Sequence, residues 1–104
     1  MKGCATKKDG DKLVAEISCE IDHHTAKEIR QIIDEKLGNK EFKILILDFS
    51  GVSFMDSSGI GLILGRAAKA EEVGATVEVV GLSSGLRRLV RMSGMERIPN
   101  IRVK

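Results

Sequence analysis

The sequence predicts an α/β domain, a mixed sheet of four to five strands packed with three or more helices. Three observations lead there. Residues 42–49, Phe42-Lys43-Ile44-Leu45-Ile46-Leu47-Asp48-Phe49, form a near-continuous apolar run, the pattern of a strand covered on both faces by helices. Strand-like and helix-like segments alternate through the second half of the chain, which argues for parallel pairing. Eleven glycines stand against a single proline in 104 residues, which fits close backbone approaches in one compact domain spanning residues 1–104 rather than a linker between two.

The elements follow in order. Residues 12–18 carry apolar and β-branched side chains in partial alternation and read as a strand. Lys8-Asp9-Gly10-Asp11 before them is hairpin-turn chemistry, so residues 3–8 can supply the first arm. Thr25 and Glu28 have capping-box spacing and mark the start of a helix. Ala26, Ile29, Ile32, Ile33 and Leu37 fall on one face of it, and Gly38-Asn39 closes it with residues that tolerate positive φ. After the apolar strand, Ser50-Gly51 turns the chain and residues 52–55 bridge to a second helix. Asp56-Ser57-Ser58-Gly59 opens that helix with strong N-cap formers; it continues through Ile60, Leu62, Ile63, Leu64, Ala67, Ala68 and Val73 and stops at Gly74. Residues 76–80 are a strand. Ser83-Ser84 caps a third helix carrying Leu86, Leu89, Val90 and Met92, with Gly94 past its end. Ile101 and Val103 alternate in a last short strand.

Composition narrows the function. Lysine and arginine total 17 against 15 acids, a net charge of +2. That is too balanced for a protein that depends on phosphate-backbone contacts. Three phenylalanines, with no tryptophan or tyrosine, leave little for stacking nucleic-acid bases. No apolar stretch approaches bilayer length, and residues 1–8 lack the apolar run of a secretory signal. Cys4 and Cys19 form no C-x-x-C pair and are expected as two reduced thiols. A cytoplasmic protein that contacts neither nucleic acid nor membrane is expected.

Several apparent motifs fail. Gly59-Ile60-Gly61 lacks the third glycine of a dinucleotide fingerprint, because position 64 is leucine. No Gly-Lys-Ser/Thr opens a helix, and Asp56-Ser57-Ser58-Gly59 lacks the glycine of a nucleophile elbow. His23-His24 are neighbours with no acidic or cysteine partner at zinc spacing, so they are expected as a polar helix start rather than a metal site. With both histidines adjacent, a Ser-His-Asp hydrolase is improbable. Gly61-x-x-x-Gly65 is expected to pack its helix closely on the sheet, with a binding face on the other side as the alternative. What survives is the Ser57-Ser58 helix start. Gly59 and Gly61 there each lower helix stability by up to ~1 kcal/mol relative to alanine, which implies that the backbone must meet something large. Chemistry alone still ranks a capped helix with a small-residue packing face ahead of a functional site.

The run Ser53-Phe54-Met55-Asp56-Ser57-Ser58-Gly59-Ile60-Gly61-Leu62-Ile63-Leu64-Gly65-Arg66 closely resembles the signature of the anti-sigma factor antagonists of the STAS domain family. Glu20-Ile21-Asp22-His23-His24-Thr25-Ala26 and Met92-Ser93-Gly94-Met95 resemble the same family, and the likeness covers nearly the whole chain. Its Asp-His-His-Thr and Asp-Ser-Ser-Gly segments are most similar to the sporulation branch, the antagonists of anti-sigma F factors. Cys19 departs from the glycine common in relatives, and the first twenty residues match only loosely.

The resemblance implies a STAS-type fold and a binding protein rather than an enzyme, with no catalytic residues, metal or cofactor. The implied partner is an anti-sigma factor that is also a serine kinase. It would be captured by the unphosphorylated chain and would phosphorylate Ser58, the second serine of Asp-Ser-Ser-Gly; a PP2C-type phosphatase would reverse the modification. The expected partner face is Glu20, Asp22 and His23 before the first helix, with Asp56, Ser57, Ser58, Gly59, Gly61 and Leu62 at the second, and Asp56 in the capping role. Loops at one edge of a parallel sheet are neighbours. One phosphate, at about −2, would cancel the net charge. The alternatives are an antagonist of a stress-response anti-sigma kinase, a STAS module of a larger signalling assembly, and a small nucleotide-binding or hydrolysing α/β protein. The last would need a phosphate cradle with a lysine or a metal-binding acid at a helix start, and neither is present.

Overall fold

The computed structural model describes residues 2–38 and 42–104. The chain runs β1 (Cys4–Asp9), β2 (Lys12–Ile17), α1 (His23–Leu37), β3 (Ile44–Asp48), α2 (Ser57–Glu72), β4 (Thr76–Val80), α3 (Ser84–Ser93), a 3-10 turn at Met95–Arg97, and β5 (Ile101–Val103). The five strands form one sheet in the order β1-β2-β3-β4-β5. β1 and β2 are an antiparallel hairpin whose two-residue turn places Gly10 and Asp11 between the paired Asp9 and Lys12. The other three pairings are parallel. The mixed sheet, the three helices and the hairpin arm match the sequence expectation.

Each parallel strand is laid beside the one before it, with a helix in the crossover. Right-handed crossovers repeated in one direction put all their helices on the same face of a sheet. Burial agrees. Register aligns Leu13, Leu45, Val77 and Ile101 in one row, and Ala15, Leu47, Val79 and Val103 in the next. All of these are buried except the half-buried Val103. The opposite face carries Val14, Ile44, Ile46 and Val80, all half-buried, among Lys12, Glu16, Glu78 and Arg102. The expectation that β3 is covered on both faces is therefore corrected. Ile44 and Ile46 are shielded by their cross-strand neighbours on an open face, and only the Leu45 and Leu47 side lies under helices.

Local chemistry accounts for the helix ends. Asp22, not Thr25, is the N-cap of α1: its carboxylate accepts from His24 N–H and Thr25 N–H, both at 2.9 Å, while the Thr25 hydroxyl accepts from Asp22 N–H at 3.0 Å. The capping box thus sits three residues upstream of the Thr25–Glu28 reading, because Asp22 keeps extended backbone and the helix has begun by His23. Gly38 has φ −61, so it continues the last turn without using positive φ; Asn39 lies outside the described residues. Ser83 caps α3 by accepting from Leu86 N–H at 3.3 Å. Leu86 and Val90 bury the inner face of α3, but Met92 is 79% exposed and does not belong to it, since it falls two positions past Val90 on the outer side.

At the carboxyl ends of the strands, Asp48 holds the first turn after β3 by accepting from Ser50 N–H at 2.9 Å and the Ser50 hydroxyl at 2.6 Å. Gly81 follows β4 with φ 76, and a Cβ there would meet the Ser50 hydroxyl, Ser50 N and Asp48 Oδ1, the last two at 2.8 Å. Gly81→Ala is expected to lower stability by about 1–3 kcal/mol, roughly 4–8 °C in Tm per kcal/mol for a domain of this size. Thermal unfolding checks this. Gly74→Ala, at φ 74 with open space around its Cβ, should cost less, because it adds backbone strain without the collision.

Candidate functional site

The carboxyl ends of β2 and β3 lead into the two helix starts singled out in the sequence. A single parallel bridge, Ile21 to Met55, ties them together. Ile21 N–H donates to the Phe54 carbonyl at 3.0 Å, and Asp56 N–H donates to the Ile21 carbonyl at 3.1 Å. Ile21 and Met55 are both buried. The residue after each is an N-cap, Asp22 for α1 and Asp56 for α2. One pair of backbone hydrogen bonds therefore fixes the relative positions of both helix starts.

Asp56 acts as expected. Its carboxylate accepts from Ser58 N–H at 2.7 Å, and its carbonyl accepts from Gly59 N–H at 3.0 Å. Ser57 is exposed and Ser58 half-buried in the first turn. Gly59 is buried, and a Cβ on it would collide with the Met55 side chain, so this glycine does meet something bulky. Gly61 and Gly65 do not: nothing lies within 4 Å of where their Cβ atoms would stand. Close packing of Gly61-x-x-x-Gly65 on the sheet is thereby corrected. The buried stripe of α2 is Gly59, Leu62, Ile63, Arg66, Ala67 and Ala70, and positions 61 and 65 fall off it, toward solvent and α1.

There they border a groove of about 360 Å³ between the two helices. His23, Ala26, Lys27 and Arg30 line it from α1, and Ser58, Gly61, Leu62, Gly65 and Arg66 from α2. Of the expected face, Ser58, Gly61 and His23 meet in this groove. Glu20, Asp22 and Ser57 are exposed beside it, with the Glu20 carbonyl accepting from the Thr25 hydroxyl at 2.8 Å. Leu62, 4% exposed, is a core residue that reaches only the groove edge. The histidine pair is split: His23 faces the groove, while His24 Nε2 stands 3.5 Å from Glu28 Oε1.

Three features escaped the sequence reading. Phe54 is 52% exposed, immediately before the bridge residue Met55; the signal was an aromatic beside the conspicuous Asp-Ser-Ser-Gly, read only as part of a connecting segment. Lys27 and Arg30 lie three residues apart on one helical face with His23, a basic i, i+4, i+7 series visible in the sequence. Arg66, 3% exposed, places Nε 2.9 Å from Asp34 Oδ1 on α1. The separation is that of an ion pair, although the alignment falls short of a hydrogen bond, and Arg66 Nη1 is buried without a partner among the described residues. Burial pulls the Arg66 pKa down, Asp34 opposes that, and nearby Arg30 adds to it. Both cysteines are free, and burial raises each thiol pKa, which leaves neither primed as a nucleophile.

Residues 4–104 match the STAS domain. The chain is 35% identical over 86 residues to an anti-sigma F factor antagonist of Paenibacillus polymyxa, covering 83% of this chain and 74% of the relative. It is 30% identical over 96 residues to an anti-sigma-B factor antagonist of Listeria monocytogenes, covering 92% and 83%. Among solved structures it resembles the anti-sigma factor antagonist SpoIIAA in its unphosphorylated form, with TM-score 0.81 and 28% identity over 97% of this chain and 87% of that one. The phosphorylated form of the Bacillus protein aligns with TM-score 0.74 and 28% identity over 97% and 90%.

The hydrogen bond from Thr25 N–H, the largest influence, together with those from His24 N–H and the Thr25 hydroxyl, holds the Asp22 carboxyl below the ordinary carboxylate range. A depressed folded-state pKa means that the cap is fully formed above the unfolded-state value and is lost as pH falls through the lower folded-state value. The amide shifts of His24 and Thr25 should accordingly titrate together, at a pH below the usual aspartate range. Heteronuclear NMR between neutral and acid pH measures this.

Proposed function

This chain belongs to the STAS domain family, and on that footing we propose that it is an anti-anti-sigma factor. Its unphosphorylated form binds an anti-sigma factor that is also a serine kinase and so frees the sigma factor. Phosphorylation at Ser58 switches it off, and a PP2C-type phosphatase restores it. The chain is a cytoplasmic binding protein without catalytic activity of its own, and the sigma factor it releases belongs to sporulation. The observation that carries the reading is the placement of Ser58. It stands in the first turn of α2, held by Asp56, at the point where the Ile21–Met55 bridge gathers both helix starts into one surface. The relatives named as antagonists of anti-sigma F and anti-sigma-B factors support the role, and the Asp-His-His-Thr and Asp-Ser-Ser-Gly segments support the sporulation branch.

Physics supports a local switch. A phosphate adds about −1.5 to −2 charges at pH 7, and a helix N-terminus favours negative charge through its dipole and free N–H groups. Phosphorylation therefore leaves α2 folded while it changes the shape and charge of the surface beside Asp56 and Asp22. SpoIIAA, solved in both forms, aligns with this chain over the same 97% in each, which supports a switch without refolding. The partner surface extends to Phe54, whose exposed ring beside Met55 is the large apolar anchor that interfaces favour.

Mixing the chain with an anti-sigma kinase and ATP, then locating phosphate by mass spectrometry, tests the reading. Ser58→Ala should stay unmodified while binding the partner, and the phosphorylated wild type should bind at least tenfold more weakly, about 1.4 kcal/mol. Full phosphate incorporation by Ser58→Ala would move the site elsewhere. Phe54→Ala should leave stability within about 0.5 kcal/mol but weaken partner binding by more than about 1 kcal/mol, as titration calorimetry and thermal unfolding together will read.

A further inference from the structure

The groove between α1 and α2 has a chemistry that capture of a partner does not by itself require. From α1, His23, Lys27 and Arg30 line it, and no acid of that helix does. From α2, Ser58 stands at one end, and Gly61 and Gly65 leave its floor without side chains. Arg66 forms part of the wall, almost fully buried, with Asp34 beside its Nε and Nη1 left without a partner among the described residues. A buried guanidinium nitrogen with no acceptor is costly, and the residue that carries it lines an open basic groove together with the proposed phosphoacceptor.

We propose that this groove is an intramolecular phosphate site: the phosphate on Ser58 seats between the two helix starts and is paired by Lys27 and Arg30, with Arg66 supplying buried positive charge behind them. The inference rests on the reading of Ser58 as the modified residue. Lys27 and Arg30 are exposed, so they can turn onto the phosphate without unpacking the core, and the absent side chains at 61 and 65 leave it room. Two carboxylates oppose this arrangement, Asp22 and Asp56, and each is already engaged by the first-turn N–H groups of its own helix. Seated in the groove, the phosphate covers the surface that the unmodified chain leaves open. The modified form then blocks its own partner face by occupying it, besides repelling the partner.

The test uses full-length protein carrying phosphoserine at position 58 introduced by directed incorporation, so that no kinase is involved. Phosphorus NMR follows the second ionisation of the phosphate, about 6 for a free phosphoserine. The groups facing it are His23, Lys27, Arg30 and Arg66 on one side, with Asp22 and Asp56 on the other; Asp34 is turned to Arg66. Opposite charges favour the dianion, so the native pKa should lie below that of the urea-unfolded protein. It should rise by about half a unit or more in Lys27→Gln/Arg30→Gln. Lys36→Gln, exposed on the last turn of α1 and outside the groove, should leave it unchanged. Equal pKa values in the native protein and the double variant would overturn the proposal, as would an equal rise in Lys36→Gln. Failure of a kinase to modify Ser58 would count against the functional reading alone, because the ionisation is measured without one.

Discussion

The parallel bridge between Ile21 and Met55 positions the whole functional surface. Two loops leave neighbouring strands, β2 and β3, and lead to the starts of α1 and α2. The exchange of Ile21 N–H with the Phe54 carbonyl and of Asp56 N–H with the Ile21 carbonyl joins them. Because the bridged residues are buried, solvent does not compete for those bonds, and leaving their polar groups unpaired would be expensive. Each helix then starts one residue later, from an aspartate whose carboxylate satisfies N–H groups that the helix cannot. The spacing between His23 and Ser58, and with it the mouth of the groove, follows from this contact.

Arg66 ties the two helices together along the same groove. Burying a guanidinium is unfavourable unless an opposing charge meets it, and Asp34 reaches it across the α1–α2 boundary. The pair holds the two helices at a separation that leaves Gly61 and Gly65 facing open space. Below it, Ile63, Ala67 and Ala70 join the helix layer to Val77 and Val79 of the sheet. The groove is thus a gap between well-packed elements, and its width does not depend on a mobile loop.

The surface so built suits a switch controlled by another protein's chemistry. A phosphate at the first turn of a helix adds charge where the backbone tolerates it, so modification can change what binds without altering how the chain folds. Phe54 offers apolar area, Glu20 and Asp22 offer negative charge, and Lys27 and Arg30 offer positive charge. A single added phosphate redistributes that balance locally, and on a chain of net charge +2 it changes the global balance as well.

The sequence by itself determined the order of elements, the hairpin, and the capping roles of Asp56 and Ser83, because each rests on periodicity or on side chains acting within three or four positions of themselves. The likeness of residues 53–66 to a known signature carried the functional reading, since composition and spacing alone ranked a plain capped helix ahead of it. Tertiary structure alone decided which face of β3 is covered, since an apolar run does not reveal whether its second side meets helices or only neighbouring strands. It decided that Met92 stays outside, that Leu62 belongs to the core, and that Gly59 yields to Met55 while Gly61 and Gly65 border a gap. It also brought Lys27 and Arg30 into the groove that Ser58 lines, about thirty positions away in the chain. Such proximity depends on a bridge and an ion pair between distant segments, and no local pattern encodes it.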